Sequence, residues 1–156
     1  MTTPLTTPLT AHIRNARLDE LTALLDLYQH LHVDDAPLPE RSTLQQAWED
    51  ILGDPKVHCL VADLNGELVA SCVLVLVPNL TRGARPYGLV ENVVTHAAHR
   101  RKGIATHLLR HALQVAWSKN CYKVMLLTGS KREEIHRFYE QAGFVKGKKT
   151  GFVAKP

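Results

Sequence analysis

Residues 57–64 and 67–77 read as two strands flanking Asn65-Gly66, a dipeptide suited to a type I′ turn because both positions accept positive φ. The second strand is apolar on both alternating faces. Val69, Val73, Val75 and Val77 lie on one, and Leu68, Ala70, Cys72, Leu74 and Leu76 on the other. A strand of that kind must be covered on both sides, which predicts helices above and below the sheet. Upstream, residues 12–16 predict a short first strand. Leu21, Leu24, Leu25, Tyr28 and Leu31 then recur at helical spacing up to an end near Val33. Ser42 is the expected N-cap of a second helix that reaches Leu52 and is closed by Gly53-Asp54-Pro55. After a loop from Pro78 to Pro86, the pattern predicts a strand at 87–95, a helix at 104–120, a strand at 122–128, a helix at 132–142 and a strand from Phe144. Strand-helix-strand-helix-strand after an antiparallel start predicts an α/β fold, a mixed central sheet with helices on both faces.

The 156 residues suit one domain, assigned to residues 11–156. Residues 1–10 repeat TTPL and read as a disordered tail, without the basic and apolar regions of a signal peptide. No apolar run approaches the ~20 residues needed to cross a bilayer, so no membrane-spanning segment is expected. Cys59, Cys72 and Cys121 are odd in number, widely spaced and set in apolar stretches. That argues against a disulfide framework or a zinc site, and a reducing cytoplasm is the expected location. Charge changes the picture more. Residues 1–78 hold four bases and eleven acids, and residues 79–156 hold fifteen bases and four acids. One half is therefore suited to an anion, be it nucleic acid, membrane or a phosphorylated cofactor.

The anion acquires a place at Arg100-Arg101-Lys102-Gly103, where an apolar strand turns into a helix. A helix N-terminus leaves N–H groups unpaired and carries partial positive charge, and glycine lets an anion approach the main chain. The natural ligand is a phosphate or pyrophosphate; the alternative is a solvated basic turn capping a helix. Arg100-x-x-Gly103-x-Ala105 resembles the Arg/Gln-x-x-Gly-x-Gly/Ala signature of the GNAT (Gcn5-related N-acetyltransferase) superfamily. Phe138-Tyr139-x-x-x-Gly143-Phe144 is similar to the FYxxxGF segment of the same family. The order of elements also agrees, over Ile13 to Phe152.

This resemblance implies acetyl-CoA as donor, a primary amine as acceptor, a homodimer, and no metal. Backbone groups of Val93, Val94 and Thr95 would pair with the pantetheine arm as a pseudo-strand. The N–H groups from Arg101 through Lys102, Gly103, Ile104, Ala105 and Thr106 would hold the pyrophosphate, with Arg100, Arg101 and Lys102 adding charge. Tyr139 would protonate the departing thiolate. Its alternative role is a core aromatic. Glu91, in the strand beside the expected thioester, is the candidate base, against a water relay or a simple ion pair. The oxyanion would be held by the N–H of Val93 or Val94. Many family members carry Asn where this chain has Arg132, so the pantetheine contact there is lost, falls to Ser130 or becomes a phosphate contact of Arg132.

The expected acceptor is a small-molecule amine lying near Leu31–Leu38 and the Pro78–Pro86 loop, where Asp34 and Asp35 either form a solvated loop or attract a cation. A protein or aminoacyl-tRNA amine, with Lys146, Lys148, Lys149 and Lys155 available to RNA, is the alternative within the fold. A non-catalytic nucleic-acid-binding or regulatory module is the alternative outside enzymology, with little aromatic interleaving to support nucleic-acid contact. Gly147-Lys148-Lys149-Thr150 lacks P-loop context. His107 and His111 share a helix face without a third metal ligand. His30 and His32 suit either a substrate pocket or the surface. The apolar setting of the cysteines disfavours an acetyl-cysteine route.

Overall fold

In a computed structural model that describes residues 10–32 and 34–156, Asn65 and Gly66 take φ values of 53° and 91° and close the hairpin. Asp63 Oδ1 accepts the Gly66 N–H at 2.7 Å and fixes the turn. The strands are β1 (His12–Asn15), β2 (Val57–Leu64), β3 (Glu67–Val77), β4 (Tyr87–Thr95) and β5 (Val124–Leu126). They form one sheet in the order β1-β2-β3-β4-β5, antiparallel except for the parallel β4–β5 pair. The helices are α1 (Leu21–Tyr28), α2 (Arg41–Gly53), the single turn α3 (Thr81–Ala84), α4 (Ile104–Ser118) and α5 (Glu133–Gln141).

Both faces of the sheet are covered, as the doubly apolar β3 requires. On one face, Leu60, Ala62, Ala70, Cys72, Leu74 and Val90 pack against Leu108, Leu109, Ala112 and Ala116 of α4. On the other, Cys59, Val61 and Leu68 pack against Leu21, Leu24 and Leu27 of α1 and Trp48 of α2. The Trp48 indole donates to the Leu18 carbonyl at 3.0 Å, so its one polar group is satisfied at the edge of that core. A register shift between Ala62 and Asp63 puts Leu68 and Val69 on faces opposite to those expected from strict alternation.

Four sequence expectations change. Glu40, whose carbonyl accepts the Thr43 and Leu44 N–H groups, starts α2 in place of Ser42. The 78–86 loop contains a turn that is left-handed at Arg82, Gly83 and Ala84. The strand expected at 122–128 is paired only at Val124–Leu126. No strand follows Gly143 among the described residues. The segment from Val145 is exposed and mixes Lys146, Lys148 and Lys149 with Gly147 and Gly151, residues that pack poorly on a pleated surface. The TTPL repeat, apart from Thr10, and the expected α1 end at Val33 lie outside the described residues. Among the described residues no helix is long and apolar enough to cross a membrane.

Candidate active site

The site begins where β4 leaves its neighbours. Val94 faces Ser71 and Glu91 faces Val73, so Asn92 and Val93 together stand opposite Cys72 as a bulge, with Asn92 left-handed at φ 51°. On its other edge, β4 pairs with β5 only from Gly88 to Val90. At this closed end a Cβ on Gly88 would sit 3.0 Å from both Leu74 Cδ1 and Val124 Cγ2, so the close approach of the strands requires glycine. Beyond Val90 the pairing with β5 ends, and among the described residues the edge of β4 from Glu91 to Thr95 has no strand partner on that side. Its part from Val93 to Thr95 is buried or half-buried, and backbone in that state fits an extended amide chain that completes the ladder.

The chain then runs through Ala97–His99 into the basic turn. Arg101 has φ 61° and Gly103, the N-cap of α4, has φ 78°. Among the described residues no side chain caps α4, and the first intrahelical bond is from the His107 N–H to the Gly103 carbonyl at 3.0 Å. The N–H groups of Ile104, Ala105 and Thr106 therefore have no intrahelical acceptor, and the space beside Gly103 Cα is open. These are the features a phosphate needs. The Arg100 guanidinium is bonded to the carbonyls of Thr95 (3.2 Å) and His30 (3.1 Å), so it braces the turn as well as charging it.

A cleft of about 660 Å³ joins these pieces. Val93, Val94, Thr95, Arg100, Arg101, Lys102, Gly103, Ile104, Ala105 and Thr106 line it, together with Arg132 and Tyr139. Arg132 is paired with Glu134, whose carboxyl it holds below the usual range. Ser130 is not in the lining; its hydroxyl accepts the Arg132 N–H at 3.2 Å. Glu91 is exposed and lines neither this cleft nor its neighbour. His30, Leu31 and His99 complete the wall from outside the motif segments. Helical periodicity carries no signal for His30, which stands in a turn beyond α1 and reaches the cleft by a long-range contact.

Tyr139 is half-buried between Phe138 and Phe144, with ring centroids at 4.8 and 6.5 Å. Among the described residues no group bonds its hydroxyl. Burial, and to a smaller extent Cys72, push the phenol above its usual value, which keeps its proton in place at neutral pH. The same ring lines a second cavity of about 880 Å³ enclosed by β5, the end of α4, α5 and residues 144–152. Among the described residues, Lys123, Lys146, Lys148 and Lys149 line that cavity against the single acid Glu140, and Lys146 also lies 3.8 Å from Glu133. Asp34 and Asp35 are exposed and line neither cavity. The three cysteines are free and buried, and burial pushes the Cys59 and Cys72 thiols up to about 11 and about 12, away from thiolate chemistry. Among the described residues no cluster of His, Cys, Asp and Glu has the arrangement of a metal site.

A family model described as Acetyltransferase (GNAT) family matches residues 21–144. The chain belongs to the GNAT acetyltransferase family. It is 37% identical over 79 residues to a glucosamine 6-phosphate N-acetyltransferase of Trypanosoma brucei brucei, covering 51% of this chain and 52% of that one. The chain spans about half the length of the first curated relatives it matches, 52% and 57%. Among solved structures, a putative acetyltransferase from Agrobacterium tumefaciens str. C58 is 43% identical with a TM-score of 0.87, over 93% of this chain and 99% of that one. A transcriptional regulator from Bacillus halodurans C-125 is 28% identical with a TM-score of 0.80, again over 93% and 99%. The sheet of this GNAT chain, with helices on both faces, is the fold expected from its sequence.

Proposed function

We propose that this GNAT chain transfers an acetyl group from acetyl-CoA directly to the primary amine of a small molecule. The observation that carries the reading is one cleft that contains the uncapped start of α4, the free edge of β4 and the Tyr139 ring. Acetyl-CoA supplies an activated thioester. The free N–H groups of Ile104 to Thr106 and the charges of Arg101 and Lys102 suit its phosphates, and the edge from Val93 to Thr95 suits its amide arm. In the transfer an N–C bond forms and the C–S bond breaks. The amine gives up its proton to Glu91 or to a water relay, of which the relay is favoured by the exposed position of Glu91 outside both cavity linings, and Tyr139 gives a proton to the leaving sulfur. A bulge N–H of Val93 or Val94 is suited to hold the negative oxygen. A glycine at 103 is part of this arrangement. In Gly103→Ala a side chain must adopt φ 78°, at roughly 1–2 kcal/mol, so the acetyl-CoA dissociation constant should rise about fivefold or more. Calorimetric titration checks this, and an unchanged value would remove the turn from the binding site.

The lysines of the cavity shared by Tyr139 favour an acceptor bearing an anion over the cation suggested by Asp34 and Asp35. Glucosamine 6-phosphate, the substrate in the names of several relatives, is the first amine to assay. Release of free thiol from acetyl-CoA with a small amine supports the proposal. Acetyl-CoA binding without turnover on small amines, peptides or aminoacyl-tRNA would favour the regulatory reading. The proposed homodimer is checked by light scattering, and the proposed cytoplasmic location by cell fractionation.

A further inference from the structure

Residues 100–103 are exposed, and Arg-Arg-Lys-Gly contains no side chain that can anchor the turn by burial. Polar contacts to the end of α1 hold it, beside the bond from Arg100 to the Thr95 carbonyl. The Ala97 N–H donates to His30 Nδ1 at 3.4 Å, and the His30 carbonyl accepts from Arg100 at 3.1 Å. The His30 and His96 rings lie 4.1 Å apart, centroid to centroid. His96 in turn accepts the Ala98 N–H at Nδ1, 3.1 Å, and so caps the Ala97–His99 turn. Because His30 Nδ1 is an acceptor, the neutral imidazole carries its proton on Nε2. The titratable and charged groups facing it are His96 and Arg100, with His99 behind His96 and Glu67 4.0 Å from His99. Burial first, and then His96 and Arg100, keep the His30 imidazole below its ordinary value and so in the accepting form.

We infer that His30 is a positioning residue for the phosphate-holding turn, acting through the Ala97 N–H and the segment from His96 to Arg100. The contact couples the end of α1 to the cofactor side of the cleft, so the wall formed by His30 and Leu31 and the turn keep a fixed relation. This inference rests on the acetyl-CoA reading above.

Two substitutions separate the acceptor from the ring. In His30→Phe the ring remains and the acceptor is lost, whereas in His30→Asn the Oδ1 atom takes the place of Nδ1. His30→Phe should raise the KM and dissociation constant for acetyl-CoA about threefold to tenfold, the range of one lost hydrogen bond, with kcat within about twofold. His30→Asn should stay within about twofold of wild type in all three. If the phenylalanine variant does not fold, His30→Ala carries the same expectation. The inference is overturned if His30→Phe binds like wild type, if His30→Asn is as impaired as His30→Phe, or if kcat falls while KM holds. Absence of acetyl-CoA binding by the wild-type protein would instead overturn the proposed function, and this inference with it.

Discussion

Tyr139→Phe should lower kcat about a hundredfold or more while acetyl-CoA still binds within about twofold of wild type. General acid catalysis by a positioned group contributes typically about 10²–10⁴-fold, and phenylalanine removes the proton while retaining the ring. The ring is what the structure anchors, through Phe138 and Phe144. The hydroxyl has no partner within the described residues, and Tyr139 lines both cavities. If Tyr139 were only a core aromatic, the substitution would be close to neutral, since an unbonded hydroxyl contributes little to packing. The two roles therefore differ by two orders of magnitude in one assay. A second readout is the alkaline limb of kcat. The phenol is raised above its ordinary value of 10.0, chiefly by burial, so Tyr139 remains a proton donor through pH 9. A wild-type decline that Tyr139 causes must begin above that point and be absent from the residual activity of the variant. Equal turnover of the two proteins would exclude Tyr139 from the chemistry.

The parts of this site that were legible in the sequence are those set by local rules. The bounds of β2, β3 and β4 follow from their apolar runs and the turn residues that close them, whereas the bulges that shift register inside the ladders carry no such signal. The basic turn was legible because an uncapped helix start needs its glycine and its charges within a few residues. Long-range packing was less visible. The stripe expected for α1 gave Leu25 and Tyr28 the same standing as Leu24, yet Leu27 is the residue buried with Leu21 and Leu24, since β2 and β3 decide which side of the helix is covered. The strand expected from Phe144 failed for a related reason. A Phe-Val start resembles a strand, but the lysines and glycines after it leave no continuous apolar face to bury. The tie from His30 to Ala97 spans 67 residues and has no local signature at all. The opposite charges of the two halves are also resolved only in space. The acids Glu20 and Asp63 are occupied with Arg14, whereas the lysines at 146, 148 and 149 line a cavity beside Tyr139.

That acidic cluster sets the largest expected effect on stability. Glu20 is 9% exposed and accepts from Arg14 through both carboxylate oxygens, from the Arg17 N–H at 2.7 Å and from the Arg17 side chain at 3.2 Å. Arg14 also donates to Asp63 at 2.9 Å, so the cluster joins β1, the end of β2 and the turn that starts α1. Breaking a buried pair from one side costs about 3–5 kcal/mol, because the remaining charge loses its partner. Arg14 keeps Asp63, so Glu20→Ala should cost about 2–4 kcal/mol, or roughly 4–16 °C in Tm for a chain of this size. The sign of the pH dependence follows from the carboxyls. Glu20 is held below its ordinary 4.5, mainly by the Arg14 hydrogen bond, and Asp63 below its ordinary 3.8 by the same guanidinium. Groups with lowered folded values stabilise fully above their unfolded values and lose that contribution as pH falls through the folded ones. The gap between wild type and Glu20→Ala in urea unfolding should therefore be widest near pH 7 and shrink below about pH 4.5. A gap that stays constant down to pH 3 would mean that the Glu20 carboxylate contributes through packing and not through its charge.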